Sequence, residues 1–130
     1  MELIMRAILI DDSRAMRMIL KRTLTEMGFQ CIEAGDGREA LELLKASAAP
    51  PDLALVDWNM PNMDGYEFVC AIRTDPVYQS MKIMMVTTEV EMEQVSKALA
   101  AGADEYVMKP FSSDVIRDKI NYLGFERAAA

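Results

Sequence analysis

Short apolar runs alternate with amphipathic stretches along the whole chain. The first apolar run covers residues 7–10, and apolar side chains then recur every three or four positions until Gly28. A short continuous run followed by a 3.6-residue period is typical of a β-strand followed by an α-helix. We expect this helix to end at Gly28 and to have one apolar face, formed by Met16, Ile19, Leu20, Thr23, Leu24 and Met27.

The same alternation is repeated four more times. Pro50 and Pro51 break the chain in the middle of the series, and the last amphipathic stretch places Ile116, Ile120 and Leu123 on one face. Five strand–helix units predict an α/β fold, a doubly wound five-stranded parallel sheet with helices on both faces. The other four strands are predicted at residues 31–34, 53–57, 82–87 and 105–108.

Length and composition limit what such a fold can do. With 130 residues and 52% hydrophobic side chains, the chain is expected to form one domain over residues 1–130. A net charge of −7 argues against a nucleic-acid-binding surface. Since no apolar run reaches the roughly 18 residues of a membrane span and no secretory signal is present, we expect a cytoplasmic protein without membrane insertion.

The residue types that are missing narrow the chemistry further. The sequence contains no histidine, which excludes Ser-His-Asp triads, histidine-ligated metals and phosphohistidine carriers. Cys31 and Cys70 lack metal-ligand spacing and are predicted to be buried thiols. Any chemistry must therefore use carboxylates, hydroxyls, lysine and a bound ion.

Polar side chains stand at the carboxyl ends of four predicted strands. Asp11 and Asp12 follow the first strand, Asp57 ends the third, Thr87 ends the fourth and Lys109 follows the fifth. In a parallel sheet these ends meet at one edge, so the five side chains are expected to share a crevice. Three neighbouring carboxylates repel one another more than one lysine can offset, which predicts a hard divalent cation, Mg²⁺ or alternatively Mn²⁺.

Such a crevice suits phosphoryl transfer to a carboxylate. A cation and a lysine neutralise charge on the phosphoryl oxygens, and the hydroxyl of Thr87 can donate a hydrogen bond to one of them. Asp57 is the predicted nucleophile because it ends the central strand and precedes a loop. For Asp12 the alternative is a purely structural role as the N-cap of the first helix.

Several short segments occur in a fixed order and spacing. They are Asp11-Asp12-Ser13, the stretch Asp57-Trp58-Asn59-Met60-Pro61-Asn62-Met63-Asp64-Gly65, Val86-Thr87, Ala101-Gly102-Ala103 and Lys109-Pro110-Phe111. With these segments the chain, from about residue 7 to residue 123, resembles the receiver domains of two-component response regulators. Within that family it is most similar to the single-domain chemotaxis regulators of the CheY type, and the resemblance implies a flavodoxin-like (βα)5 fold.

The resemblance implies definite roles at the acidic positions. Asp57 would accept a phosphoryl group from a histidine kinase of the CheA type. Asp12, Asp57 and the backbone carbonyl of Asn59 would bind Mg²⁺ directly, and Asp11 would act through water. The domain would therefore be a phosphoacceptor that promotes its own phosphorylation and dephosphorylation, and not an enzyme.

The resemblance also implies how the signal leaves the domain. Thr87 and Lys109 would contact the phosphoryl oxygens, and the Lys109–Pro110 peptide bond would be cis. Tyr106 would be a switch residue that changes rotamer as Thr87 moves toward the phosphate, although simple half-buried packing is an alternative. The domain would act as a monomer whose partner is a flagellar motor switch component or a phosphatase.

Three residues near the crevice are predicted to modulate the reaction. In the family Ala or Gly usually follows the position of Thr87, so the larger Thr88 is hypothesised to slow attack by water or small phosphodonors. The alternative is that Thr88 caps the fourth helix, because residues 88–91 match a capping box. Glu89 is expected to tune dephosphorylation, and Trp58 to cover the site or to serve only in packing.

Other functions remain open at the sequence level. The domain could serve a phosphorelay outside chemotaxis or be part of a longer regulator. A haloacid-dehalogenase-type phosphatase would need a second carboxylate where this chain has Asn59, together with a cap domain. A flavodoxin-like cofactor binder would need a phosphate-binding loop where Asp11 and Asp12 stand.

Overall fold

Five parallel strands form a single sheet in the computed structural model, which describes residues 4–88 and 92–125. Every pair of neighbouring strands is parallel, and the order across the sheet is β2-β1-β3-β4-β5. This topology confirms the predicted doubly wound, flavodoxin-like α/β fold. The strands are β1 (Met5–Ile10), β2 (Phe29–Ala34), β3 (Leu53–Asp57), β4 (Lys82–Thr87) and β5 (Glu105–Met108).

One α-helix follows each strand. These helices are α1 (Arg14–Glu26), α2 (Gly37–Ala46), α3 (Gly65–Arg73), α4 (Met92–Ala101) and α5 (Ser113–Ile120). The predicted capping box of α4 includes residues 89–91, which lie outside the described residues. Two short elements were not predicted, a 3₁₀ turn at Pro76–Tyr78 and a π turn at Asn121–Phe125, because neither is long enough to establish a hydrophobic period.

The sheet carries a hydrophobic core on each face because neighbouring strand residues point in opposite directions. Ile8 and Ile10 contribute to a core that includes side chains of α2, α3 and α4. Ala7 and Leu9 contribute to the second core, which includes side chains of α1 and α5. Burial on both sides explains why β1, β3 and β4 are almost continuously apolar.

At the beginning of α1, the residue that caps the helix differs from the acidic residue predicted to bind the cation. The hydroxyl oxygen of Ser13 accepts a hydrogen bond from the backbone N–H of Met16, so Ser13 is the N-cap. The alternative in which Asp12 caps this helix is therefore wrong. The Asp12 carboxylate is exposed at the edge of the sheet and does not serve the helix terminus.

Two expectations about burial need correction. Ile19 is 52% exposed although it was placed on the apolar face of α1, because the buried face there is narrow and consists of Leu20, Thr23 and Leu24. Cys31 and Cys70 are free thiols as predicted, but they are half-buried. Cys31 lies on β2, an edge strand that has a neighbour on one side only.

Among the described residues, no helix combines the length and the apolar character required to cross a bilayer.

Candidate functional site at the carboxyl ends of the strands

Three acidic side chains meet at the carboxyl edge of the sheet. Asp11 and Asp12 follow β1, and Asp57 ends the adjacent β3. One carboxylate oxygen of each residue lies within 4.8 Å of the others. Asp11 and Asp57 are buried, whereas Asp12 is exposed and forms the open side of the group. The structure thus brings together the three carboxylates that the sequence placed in one crevice.

Lys109 supplies the positive charge of this group. Its Nζ donates a hydrogen bond to Oδ1 of Asp57 at 3.1 Å and lies 3.9 Å from Oδ2 of Asp11. The backbone holds the lysine in place, since the N–H of Lys109 donates to the carbonyl of Thr87 at 2.6 Å. The Lys109–Pro110 peptide bond is cis. Because the group contains three carboxylates and this ammonium contacts two of them, an excess of negative charge remains.

The two oxygens of Asp11 have unequal environments. Oδ1 accepts a hydrogen bond from the backbone N–H of Ser13 at 2.8 Å. Oδ2 is buried and has no hydrogen-bond partner among the described residues, with Lys109 as its nearest cation at 3.9 Å. A buried carboxylate oxygen without a hydrogen bond is costly, so this atom indicates a place where a further positive ligand would be stabilised.

Burial and mutual repulsion change the acidity of the site. Loss of solvent raises the pKa of Asp57 to about 6, and the negative charge of Asp11 acts in the same direction. The hydrogen bond and charge of Lys109 oppose this increase without cancelling it. Burial also raises the pKa of Asp11, against the opposing effect of the Ser13 N–H. Both carboxylates are therefore held in a state that favours a bound cation or proton.

The donor set matches a hard divalent cation. The available ligand atoms are carboxylate oxygens, which Mg²⁺ and Mn²⁺ prefer, and the excess negative charge and the unpartnered oxygen of Asp11 both favour a cation. Asn59, whose backbone carbonyl was predicted as a further ligand, lies two residues after Asp57 in an exposed loop. Its role as a ligand stays a prediction.

The start of α3 packs directly against the backbone of the site. The N–H of Gly65 donates to the carbonyl of Trp58 at 2.9 Å, and the N–H of Trp58 donates to the carbonyl of Val86 at 3.2 Å. A Cβ atom at residue 65 would collide with the carbonyl oxygen of Asp57. Glycine is therefore required here for close approach. In the sequence Gly65 is part of a motif, but the motif does not reveal this contact.

The remaining predicted residues surround the acidic group. Thr87 is fully buried at the end of β4, and its hydroxyl donates a long hydrogen bond of 3.4 Å to the carbonyl of Thr88. Thr88 is half-buried, and Trp58 is buried at 5% exposure directly after Asp57. Tyr106 is half-buried on β5. Glu89 lies outside the described residues.

Arg17 is a residue of the site that the sequence did not identify. A cation on an amphipathic helix is usually solvated, yet the side chain of Arg17 is only 18% exposed. Its Nη1 donates to the backbone carbonyl of Asp11 at 2.6 Å, and its Nε donates to Glu33 at 3.1 Å. The available signal was its position one helical turn after Ser13, which directs the side chain back over the β1–α1 turn.

Comparisons with known proteins agree with this geometry. The model of the response regulator receiver domain matches residues 7–121. The chain is 42% identical over 117 residues to the chemotaxis protein CheY homolog of Campylobacter jejuni, covering 89% of each chain. It is 40% identical over 117 residues to chemotaxis protein CheY1 of Helicobacter pylori, covering 89% of this chain and 94% of the relative.

A solved structure shows the same fold. The chemotaxis response regulator CheY4 of Vibrio cholerae superposes with a TM-score of 0.85 at 32% identity, over 93% of this chain and 99% of that one. The phosphatase and cofactor-binder alternatives are not favoured by any of these matches.

Proposed function

Because the chain belongs to the response regulator receiver domain family, we propose that it is a CheY-like chemotaxis response regulator that accepts a phosphoryl group from a histidine kinase on Asp57. The observation that carries this assignment is the contact between Lys109 Nζ and Asp57 Oδ1 at 3.1 Å, inside a group of three carboxylates. Asp11 and Asp57 are both buried, and Asp57 is the one that accepts a hydrogen bond from the lysine, which stays 3.9 Å from Asp11.

The transfer step follows from the groups around Asp57. One of its carboxylate oxygens forms a bond to phosphorus while the bond from phosphorus to an imidazole nitrogen of the donor breaks, and that nitrogen takes a proton from solvent. Asp57 must be ionised to attack, and a pKa of about 6 leaves most of it ionised at neutral pH. Lys109 and Thr87 would stabilise the phosphoryl oxygens.

We assign Mg²⁺ to the acidic group, with Mn²⁺ as a substitute. Asp12, Asp57 and the backbone carbonyl of Asn59 would bind the ion directly, and Asp11 would act through water. When bound, such an ion neutralises part of the charge on a transferring phosphoryl group. The burial of Asp11 and Asp57 keeps their oxygens fixed, and the exposure of Asp12 leaves an entry from solvent.

Phosphorylation would then alter the surface around Tyr106. The phosphoryl group adds about −1.5 to −2 charges and three acceptor oxygens. Thr87 would move toward these oxygens and Tyr106 would change rotamer, which changes the face formed by α4, β5 and α5. The output partner would be a flagellar motor switch component or a phosphatase, and the donor a kinase of the CheA type.

Labelling by acetyl phosphate tests the acceptor. Wild-type protein with Mg²⁺ is expected to gain one phosphoryl group detectable by intact-protein mass spectrometry, and Asp57→Asn is expected to gain none. Asp114→Asn is the matched control because the Asp114 side chain is 90% exposed and its ion-pair partner among the described residues is Arg117. Equal labelling of Asp57→Asn and wild type would remove Asp57 as the acceptor.

The partner assignment needs a separate test. A CheA-type kinase should phosphorylate the wild type, and the beryllofluoride form should retain a motor switch component in a pull-down that the untreated form does not. Retention of a component of another phosphorelay in place of a motor protein would support the alternative pathway.

Thr88 provides a test of phosphate lifetime. If its side chain crowds the approach of water, Thr88→Ala should lose the phosphoryl group faster than the wild type after the donor is removed. Autodephosphorylation that is no faster in Thr88→Ala would refute this role and leave helix capping as the explanation.

A further inference from the structure

We infer that Glu105 and Lys119 form a restraint on the ring of Tyr106 that must break before the domain adopts its phosphorylated arrangement. This inference rests on the proposed function, because it assumes that Tyr106 changes position when Asp57 is phosphorylated. It assigns a positioning role to two residues of β5 and α5 that take no part in the phosphoryl-transfer site.

The restraint consists of three contacts that share two side chains. Lys119 Nζ lies 4.8 Å from the centroid of the Tyr106 ring, a cation–π distance. The same ammonium donates to Oε1 of Glu105 at 3.3 Å. That oxygen also accepts a hydrogen bond from the backbone N–H of Tyr106 at 2.9 Å. Glu105 therefore fixes the ammonium beside the very residue whose backbone it holds.

These contacts are shielded enough to matter. The side chains of Lys119 and Glu105 are 30% and 17% exposed, so water screens them less than a fully exposed ion pair. They also line a groove of about 410 Å³ together with Val115, Asp118 and Tyr122. A partner that enters this groove would meet the restraint directly.

The strand register connects the restraint to the acidic site. Tyr106 pairs with Met85 on β4, two residues before Thr87, and Lys109 follows three residues after Tyr106. A change at Thr87 or Lys109 is therefore transmitted along strands adjacent to the ring. The contact between Lys119 and the ring exists in the ring position seen here, and a change of the Tyr106 rotamer would break it.

Linkage sets the sign of the effect. An interaction that exists only in the resting arrangement lowers the population of the active-like arrangement, and thereby weakens the binding of any ligand that requires the latter. Removal of the restraint should therefore strengthen the binding of beryllofluoride, which mimics the phosphoryl group. Loss of a cation would by direct electrostatics weaken the binding of this anion, so the two effects have opposite signs.

Beryllofluoride titration of the full chain in the presence of Mg²⁺ provides the test. Lys119→Met and Glu105→Gln are expected to bind roughly three- to fivefold more tightly than the wild type, from the usual size of a partly exposed cation–π contact. Lys119→Arg retains the cation and should stay close to the wild type. Lys82→Met makes the same charge change at the first residue of β4, at the edge of the sheet away from the acidic group, and should not tighten binding.

A second cycle ties the effect to the ring. In a Tyr106→Leu background, Lys119→Met should no longer change the affinity. Unchanged or weaker binding by Lys119→Met, or a gain that persists without the ring, would overturn the inference while labelling of Asp57 still stands. A wild type that binds no beryllofluoride would overturn the proposed function and this inference with it.

Discussion

Two of the partly buried ionic clusters among the described residues differ in how completely their charges are compensated. The first is built on Arg73 at the end of α3, and the second on Asp11, Asp57 and Lys109 at the edge of the sheet. Arg73 faces one carboxylate, Asp104, at 2.9 Å. Lys109 of the second cluster lies 3.9 Å from Asp11 and 3.1 Å from Asp57, and Asp12 adds a third carboxylate to the group. The first cluster is balanced, and the second has an excess of negative charge.

The hydrogen bonds show the same difference. The side chain of Arg73 is 12% exposed, and its guanidinium is surrounded by acceptors. Oδ2 of Asp104 accepts from Arg73 and also from the backbone N–H of Ile83 at 2.8 Å. In contrast, Oδ2 of Asp11 accepts no hydrogen bond among the described residues. The other three acceptors of Arg73 are the carbonyls of Gly102, Tyr78 and Met81.

A complete polar network and an incomplete one serve different purposes. Where every donor has an acceptor, the network joins elements of the fold and leaves nothing for a ligand to satisfy. Where carboxylates outnumber cations, the folded chain carries an energetic cost that a bound cation can offset. The completeness of the contacts therefore distinguishes structural from functional charge in this domain.

The largest effect is expected from breaking the balanced cluster. Arg73→Met would remove four hydrogen bonds, those to the carbonyls of Gly102, Tyr78 and Met81 and that to Asp104. The free energy of unfolding should therefore fall by about 3 kcal/mol. Urea denaturation measures this change. Arg38→Met, at an exposed position of α2, is the control and should alter stability by less than about 0.5 kcal/mol. A loss for Arg73→Met no larger than for the control would show that the network does not join these elements.

A substitution in the unbalanced cluster is expected to raise the free energy of unfolding, whereas one in the balanced cluster lowers it. The pKa of Asp57 is raised to about 6, above the value of about 3.9 of an unfolded aspartate. The folded state thus binds this proton more tightly, a contribution to stability that is fully present below pH 3.9 and lost as the pH rises through 6. In chelator at pH 7.5, Asp57→Asn should be more stable than the wild type by about 2 kcal/mol.

The pH profile separates this mechanism from a general change in packing. The advantage of Asp57→Asn should fall below about 1 kcal/mol at pH 4.5, because wild-type Asp57 is then mostly protonated in the folded state. Asp114→Asn, which changes an exposed carboxylate, should show no such profile. A stability difference for Asp57→Asn that does not vary with pH would contradict the role of its ionisation.

The same distinction explains what the sequence could and could not predict. The positions of the strand ends could be predicted because apolar runs stop at Asp11, Asp57 and Thr87. Their proximity could be predicted because parallel strands place such ends at one edge of the sheet. The inward contact of Arg17 was not readable, because a cation on an amphipathic helix is usually solvated. Its partner is a backbone carbonyl, which every residue possesses, so no residue type marks it.

The partial burial of Cys31 and the contact at Gly65 could not be predicted for a related reason. Composition indicates that Cys31 is apolar enough for a core, but only strand order shows that β2 is an edge strand. Similarly, the need for glycine at residue 65 depends on how close α3 approaches the carbonyl of Asp57. Distances between elements distant in sequence decide such features, and a local pattern does not contain them.

Addition of Mg²⁺ should partly compensate the negative charge of the second cluster, and its effect on the free energy of unfolding should be smaller than that of the two substitutions above. At a free concentration ten times the dissociation constant, Mg²⁺ should raise the free energy of unfolding of the wild type by about 1.4 kcal/mol. Asp12→Asn should retain less than half of this gain, because Asp12 supplies the exposed member of the acidic group. Urea denaturation with NaCl at matched ionic strength is the control. Equal stabilisation by NaCl and by Mg²⁺ would remove the specific site.

The smallest effect is expected for Arg17, whose contacts combine features of both clusters. Its guanidinium has a carbonyl and a carboxylate as partners, as in a balanced network, but the carbonyl belongs to Asp11 of the unbalanced one. Arg17→Met should lower the free energy of unfolding by about 1 kcal/mol, since a hydrogen-bonded and partly shielded charge is lost. Arg17 is expected to position the β1–α1 turn, so the same substitution should also weaken Mg²⁺ binding roughly threefold. This loss of affinity is smaller than that usual for groups that hydrogen-bond a metal ligand directly.

The sign of that second change is decisive because electrostatics predicts the reverse. Loss of a cation beside an acidic group should by itself strengthen the binding of Mg²⁺. Arg14→Met is the matched control, as Arg14 lies on the same helix, closer in sequence to Asp12, and is exposed. We expect Arg14→Met to bind Mg²⁺ as well as the wild type or slightly better, and Arg17→Met to bind it less well. Tighter binding by both variants would show that Arg17 acts only through its charge and does not hold the turn.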